Sequence, residues 1–156
     1  MKAKTLVESF KYAWAGLKHA WLCERNMRVH VAMGFSVLAA AAVLRISTVE
    51  FVAISLVTGM VIVAEMANTA LEALIDLVIR QRDPLAAVAK NAAAGAVLVT
   101  SGVAVLVGVA VFLPKLLRWR QVMEILESRP AVTVAALVAC VLVWAVSLAL
   151  PVERKR

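Results

Sequence analysis

Charged residues are scarce in this chain and cysteines are almost absent. Asp, Glu, Lys and Arg make up 17% of its 156 residues, whereas 63% are hydrophobic and the mean hydropathy is +0.91. This balance is typical of an integral membrane protein. The two cysteines, Cys23 and Cys140, lie in different predicted segments without a metal-ligand spacing, which argues against a cysteine-based metal site. Internal repeats, serine-rich linkers and low-complexity tails are also missing, so we expect one membrane domain.

Acidic residues are fewer than basic ones, and the net charge is +7. Such an excess can indicate nucleic-acid binding, but the Lys and Arg residues are concentrated outside the apolar segments. Anionic lipid headgroups explain that distribution better, because basic residues that flank membrane segments are attracted to them. We therefore expect a lipid bilayer as a partner and no nucleic acid.

Four apolar runs are visible, at residues 29–44, 51–79, 92–113 and 131–150. The last two have the length of about 20 residues that a membrane-spanning helix needs. The first run is short, but Arg28 and Arg45 at its ends can reach the two interfaces. The second would extend roughly 43 Å against a hydrocarbon core of about 30 Å, so its acidic end is predicted to project to the interface.

The first 28 residues lack the continuous apolar segment and cleavage site of a secretory signal. Their apolar side chains instead recur with helical spacing, which predicts an amphipathic helix on the membrane surface rather than one packed on soluble protein. These side chains are Leu6, Phe10, Trp14, Leu17 and Trp21.

The N-terminal segment before the first apolar run is rich in basic residues, beginning with Lys2 and Lys4. By the positive-inside rule this predicts a cytoplasmic N-terminus. Four crossings then place the loop at residues 80–90 and the basic tail at 154–156 on the same side. Residues 115–129 fit this orientation less well, because they carry four basic residues against two acidic ones.

Four polar residues lie at the end of the second apolar run. At about 100° per residue, Glu65, Asn68, Glu72 and Asp76 share one helix face. Carboxylates in or beside a bilayer are costly and usually face protein or a water-filled site. This pattern suits the floor of an active site, and from the residues alone also suits a buried polar contact or an ion pathway.

The same stretch, EMANTALEALID at 65–76, resembles the signature of the small bacterial membrane lipid kinases that include diacylglycerol kinase and undecaprenol kinase. The segments AK at 89–90 and AAGAV at 93–97 look like the second motif of that family. FKYA at 10–13 and ERNMRVH at 24–30 resemble its segments before the first crossing. The resemblance covers roughly residues 5–113, and the last helix is additional to the usual three crossings.

This resemblance implies a role for each candidate residue. Glu65 would be the base that accepts the proton of the lipid hydroxyl, while Glu24 and Glu72 would hold Mg²⁺. Lys90 would contact the phosphates of ATP, and Asn68 would orient Glu65 or a phosphate oxygen. By the same resemblance, Tyr12 would contact the nucleotide or the lipid headgroup and Asp76 is assigned to structural support, while Asn91 stands where the family generally has Asp. Independently of the resemblance, a lone histidine at a helix start such as His30 more often packs than catalyses.

We therefore predict an all-α integral membrane bundle, with a kinase domain at residues 1–113 and a connection, an extra helix and a basic tail at 114–156. Its activity would be ATP-dependent phosphorylation of the hydroxyl of diacylglycerol or undecaprenol, at the cytoplasmic face of the bacterial inner membrane. The resemblance also implies a homotrimer with shared sites. The alternative from another class is a non-catalytic membrane protein or ion pathway that uses the same polar face.

Overall fold

A short helix lies ahead of the apolar segments, as predicted. In the computed structural model, which describes residues 5–79 and 81–151, α1 spans Leu6–Cys23. The Thr5 hydroxyl accepts a hydrogen bond from the Glu8 amide at 3.2 Å and so caps the first turn. Large apolar side chains such as Phe10 are exposed along it, which fits a helix on a membrane surface. Lys2, Lys4 and residues 154–156, on which the orientation partly rests, lie outside the described residues.

Four further helices are long and apolar enough to cross a membrane: α2 Arg25–Val43, α3 Thr48–Val78, α4 Pro84–Leu116 and α6 Pro130–Ala149. Their helical content and number confirm the predicted all-α bundle. At 1.5 Å per residue α3 and α4 are roughly 46 and 50 Å long, so both extend beyond a hydrocarbon core of about 30 Å.

The α4 helix begins eight residues before the predicted apolar run. Asp83 accepts hydrogen bonds from the amides of Leu85 at 2.7 Å and Ala86 at 3.1 Å, and Pro84 occupies the first turn. Lys90 and Asn91 therefore lie within a helix and have fixed positions.

The α3 and α4 helices form an antiparallel hairpin with an ion pair near each end. Near the α3–α4 connection Lys90 pairs with Asp76. At the opposite end Lys115 pairs with Glu50 at 3.0 Å. We call these two contacts the end pairs. Glu50 also takes part in a capping box with Ser47, which fixes the start of α3.

The α2 helix packs against both α3 and α6. Gly34 allows α2 to approach α3, because a Cβ at this position would lie 2.5 Å from the Thr58 Cγ2 atom. On the α6 side, the indole nitrogen of Trp144 donates to the Ser36 hydroxyl at 3.1 Å.

One prediction is wrong, and one helix was not predicted from the sequence. Arg28 does not reach an interface as an end residue; it lies inside α2, is only 2% exposed, and donates to the backbone carbonyl of Leu150 at the end of α6. The predicted connection after α4 contains a helix, α5, at Trp119–Ser128. Its apolar side chains at 119, 122, 123 and 126 follow helical spacing, and one of them, Val122, is buried.

Candidate active site

One face of α3 turns its polar residues into the protein. Glu65 is 1% exposed, and Asn68 and Thr69 are also buried. The Thr69 hydroxyl donates to the Glu65 backbone carbonyl at 2.9 Å, so it is held locally within the helix. Glu65 is thus the least exposed of Glu65, Asn68 and Glu72 on this face.

Asn68 and Glu72 contact each other directly. The Asn68 amide nitrogen donates to Glu72 Oε1 at 3.0 Å. Asn68 is predicted to orient Glu65 or a phosphate oxygen; one N–H of its amide is bonded to Glu72, one helical turn away. Its Oδ1 atom is buried and accepts no hydrogen bond within residues 5–79 and 81–151. A buried amide oxygen of this kind is an acceptor for an incoming hydroxyl or a ligand for a cation.

Glu24 lies at the junction between α1 and α2. Its backbone is extended, with φ −111° and ψ 117°, and its amide donates to the Ala20 carbonyl at 2.9 Å. The side chain is half-buried. The start of α2 therefore determines where this carboxylate lies.

Tyr12 is placed differently from the other candidates. It is 49% exposed in the middle of α1. At 1.5 Å per residue it is about 18 Å from Glu24 along the helix. The structure does not bring these two predicted site residues together on α1.

A cavity of about 560 Å³ opens where α3 ends and α4 begins. This volume is in the range of cofactor and nucleotide sites. Lys90 lines it and donates to Asp76, so the lysine that the sequence assigns to phosphates is paired with a carboxylate in this structure. Asn91 is exposed and is not among the lining residues. Gln81 and Arg82 do line the cavity, although the sequence interpretation gave neither a role.

An apolar groove of about 330 Å³ runs between α2, α3 and α4. Ile54 and Val61 form its floor on α3, and His30 and Ser101 contribute polar groups from the neighbouring helices. Val61 precedes Glu65 by one helical turn, so the groove reaches the level next to the buried carboxylate. His30 is a lining residue of this groove, which agrees with the packing role expected for it.

A metal ion could be held only by a small ligand set from this chain. In the described parts of the chain, no group of three or more His, Cys, Asp or Glu side chains is arranged to hold a metal. Mg²⁺ typically takes one or two carboxylates and completes its shell with phosphate oxygens and water. The Glu72 carboxylate beside the unbonded Asn68 Oδ1 fits that requirement, because both offer hard oxygen atoms.

Comparisons with known proteins match most of the chain to one family. The family described as prokaryotic diacylglycerol kinase matches residues 11–112. The chain is 41% identical over 116 residues to a diacylglycerol kinase of Synechocystis sp., covering 74% of this chain and 66% of that protein. It is 38% identical over 109 residues to an undecaprenol kinase of Bacillus subtilis, covering 70% of this chain and 89% of that protein. No solved structure matches the chain. The match ends within α4, so α5 and α6 lie beyond it.

Proposed function

Because the chain belongs to the prokaryotic diacylglycerol kinase family, a family of lipid kinases, we propose that it transfers the γ-phosphoryl group of ATP to the hydroxyl of a membrane lipid at the site on α3. The observation that carries the proposal is the burial of Glu65 on a face that also presents Asn68 and Glu72. The family argues against the alternative of an ion pathway on the same face.

Glu65 is the proposed general base. The lipid oxygen forms a bond to the γ-phosphorus, its proton passes to the Glu65 carboxylate, and the bond between the γ-phosphorus and the β–γ bridging oxygen breaks to release ADP. A carboxylate at the inner end of the polar face is well placed for this role, because the lipid hydroxyl approaches from the bilayer. The single proton of that hydroxyl goes to Glu65, so the unbonded Asn68 Oδ1 is left to accept from bound water or to contact a cation.

The nucleotide is proposed to occupy the cavity between α3 and α4. Lys90 would exchange Asp76 for phosphate oxygens, and Arg82 at the cavity wall adds a second cation. Tyr12 and Asn91 remain proposed contacts of secondary importance, since both are exposed and neither lines this cavity.

Glu24 and Glu72 are the proposed protein ligands for Mg²⁺, with Asn68 Oδ1 as a neutral oxygen beside them. A bound Mg²⁺ would neutralise charge on the phosphate oxygens. Glu72 is oriented by the Asn68 amide, and Glu24 by the junction between α1 and α2.

The lipid chain is proposed to lie in the apolar groove between α2, α3 and α4. The groove begins one turn from Glu65, so a lipid whose hydroxyl reaches the carboxylate directs its hydrocarbon along Val61 and Ile54. Both diacylglycerol and undecaprenol carry a hydroxyl on a long hydrocarbon and so fit this arrangement. By their names, one relative acts on diacylglycerol and the other on undecaprenol.

The proposed assembly is a homotrimer in the bacterial inner membrane, with the site on the cytoplasmic side. A stripe of exposed small and apolar side chains on α3 supports packing between copies of the chain. These side chains recur every three or four residues, on the side of the helix opposite the polar face. This stripe consists of Val63, Ala67, Ala70 and Leu74.

The direct test is phosphoryl transfer by the purified protein in detergent micelles. Labelled ATP and Mg²⁺ are supplied with diacylglycerol or undecaprenol, and the lipid product is separated and counted. We expect labelled phosphatidic acid or undecaprenyl phosphate, and none from the matched Glu65→Gln protein. A folded protein that labels neither lipid would contradict the proposed function.

A further inference from the structure

The α6 helix makes two specific polar contacts with α2 in addition to apolar packing. Trp144 donates to Ser36 at 3.1 Å, and Arg28 donates to the Leu150 carbonyl. Ser36 and Arg28 are about 12 Å apart along α2, while their partners are about 9 Å apart along the antiparallel α6. Two contacts at different depths fix both the position and the register of α6 on α2.

The end of α6 is a suitable acceptor for a buried cation. The last carbonyls of a helix have no partner within the helix and carry partial negative charge, which favours a positive group there. Arg28 is 2% exposed, and its Nε atom makes no hydrogen bond with the described residues. The Leu150 carbonyl at the end of α6 thus accepts a hydrogen bond from this buried guanidinium.

Arg28 lies one helical turn after Glu24. Glu24 is the residue at which α1 ends and α2 begins, so a shift of the first turn of α2 moves its carboxylate. We propose that α6 is a positioning helix for the active site: by holding Arg28 at Leu150 and Ser36 at Trp144, it fixes the start of α2 and thereby the place of Glu24. This inference rests on the metal role proposed for Glu24.

The inference goes beyond the family match, because that match ends at residue 112 and α6 begins at Pro130. If α6 served only as a membrane anchor, its last carbonyls would not need to accept a hydrogen bond from a buried arginine of α2. A positioning helix predicts instead that damage to the α2–α6 interface alters a property of the distant carboxylate.

The test disturbs α6 without changing α1, α2 or α3. Ser147 is 3% exposed on α6, so Ser147→Leu overfills the buried side of the helix. Ala145→Leu adds a similar side chain to an exposed position of the same helix and is the matched control. Trp144→Phe removes the donor to Ser36 together with part of the ring, and it serves if Ser147→Leu does not fold.

Two readouts are measured in a Cys140→Ala background. The first is the Mg²⁺ concentration for half-maximal kinase activity, which should rise by about tenfold in Ser147→Leu. Loss of a residue that orients a metal ligand typically lowers metal affinity by about 10- to 100-fold, and we expect the lower value here. The second is the rate of thiol labelling of Cys23, which is buried beside Glu24 and should react severalfold faster when the junction loosens. Trp144→Phe should shift both in the same direction to a smaller extent, and Ala145→Leu should change neither.

The outcomes separate the inference from the function on which it rests. Unchanged Cys23 labelling in both interface variants would overturn the positioning role of α6. Faster labelling with an unchanged Mg²⁺ requirement would support the positioning role and remove the metal role of Glu24. Equal effects in Ala145→Leu would mean that any bulk on α6 disturbs the fold, and the inference would be withdrawn.

Discussion

Lys90 of α4 donates a hydrogen bond to the Asp76 carboxylate of α3 at the wall of the nucleotide-sized cavity. Their side chains are 34% and 55% exposed, and a pair so accessible to water is worth about 1 kcal/mol or less. ATP carries more charge than a single carboxylate and can therefore take Asp76's place. On the proposal that Lys90 binds the phosphates, Asp76 would hold the lysine in position before the nucleotide binds and would compete with the phosphates for it.

This competition gives the first prediction. Asp76→Asn should lower the KM for ATP by about two- to fivefold, the range that a weak, exposed ion pair allows. Lys90→Met should raise it by about tenfold or more, because the phosphates lose a cation. Steady-state kinetics at saturating lipid measure both. Glu50→Gln breaks the other end pair, away from the cavity, and should leave the KM unchanged. A higher KM in Asp76→Asn would mean that Asp76 chiefly positions the lysine.

The second prediction concerns Glu65. Glu65→Gln keeps the shape of the side chain but cannot accept a proton, so kcat should fall by about 100-fold or more, as expected for loss of a general base. Turnover is measured at saturating ATP and lipid, with thermal unfolding in detergent as the check on folding. Near-normal turnover in a folded variant would remove Glu65 from the role of base.

The third prediction concerns the metal. Glu24→Gln and Glu72→Gln should each raise the Mg²⁺ concentration needed for half-maximal rate by about tenfold or abolish activity, because each removes a hard oxygen ligand. Glu124→Gln changes an exposed carboxylate on α5 and is the control. Identical Mg²⁺ titrations for the wild type and both variants would exclude the two glutamates as ligands.

The fourth prediction concerns the residue after Lys90. Asn91→Asp restores the residue generally found in the family, and we expect kcat/KM for ATP to rise or stay the same. The opposing effect is repulsion between a new carboxylate and the phosphates, but Asn91 is exposed and lies outside the cavity lining, so water weakens that repulsion. A large fall in kcat/KM would show that this position faces the phosphates and that the pocket is built around an amide.

The fifth prediction tests the close approach of α2 and α3. Gly34→Ala should destabilise the protein, because the new Cβ meets the Thr58 Cγ2 atom and overpacking typically costs about 1–3 kcal/mol. Thr58→Ser removes that methyl group, so the double variant should recover most of the loss. Gly102→Ala has open space around it and should be neutral or stabilising. Thermal unfolding of the wild type, the two single variants and the double variant checks the coupling, and additive effects would contradict it.

Hydropathy and helical period predicted the architecture and the polar face because both depend on local sequence. The four spans, the surface helix and the burial of Glu65 and Asn68 follow from where apolar residues recur. The ends of helices depend instead on single capping residues, and the hydropathy of residues 84–91 could not show that Asp83 starts α4. The α5 helix was missed because ten residues between two spans give little signal, although their period is helical.

Contacts between distant parts of the chain could not be predicted in this way. Arg28 is buried and donates to the Leu150 carbonyl, an acceptor that is 122 residues away in sequence. The choice of Asn68 between Glu65 and Glu72 also depends on side-chain packing, since both carboxylates are near it on the helix. The family itself was identified correctly from the motifs, and the matching residues 11–112 confirm it. The individual roles of the site residues remain predictions.

The end pairs favour one axial register of α3 against α4. Glu50 and Asp76 are about 39 Å apart along α3, and Lys90 and Lys115 are about 38 Å apart along α4, so the two pairs select the same axial register. A slide of one helix past the other by a single turn, about 5.4 Å, would separate both pairs at once. A one-turn shear of this hairpin would therefore cost both ion pairs together. Each pair is weak and accessible to water, so the register is favoured by the agreement of the two rather than by the strength of either.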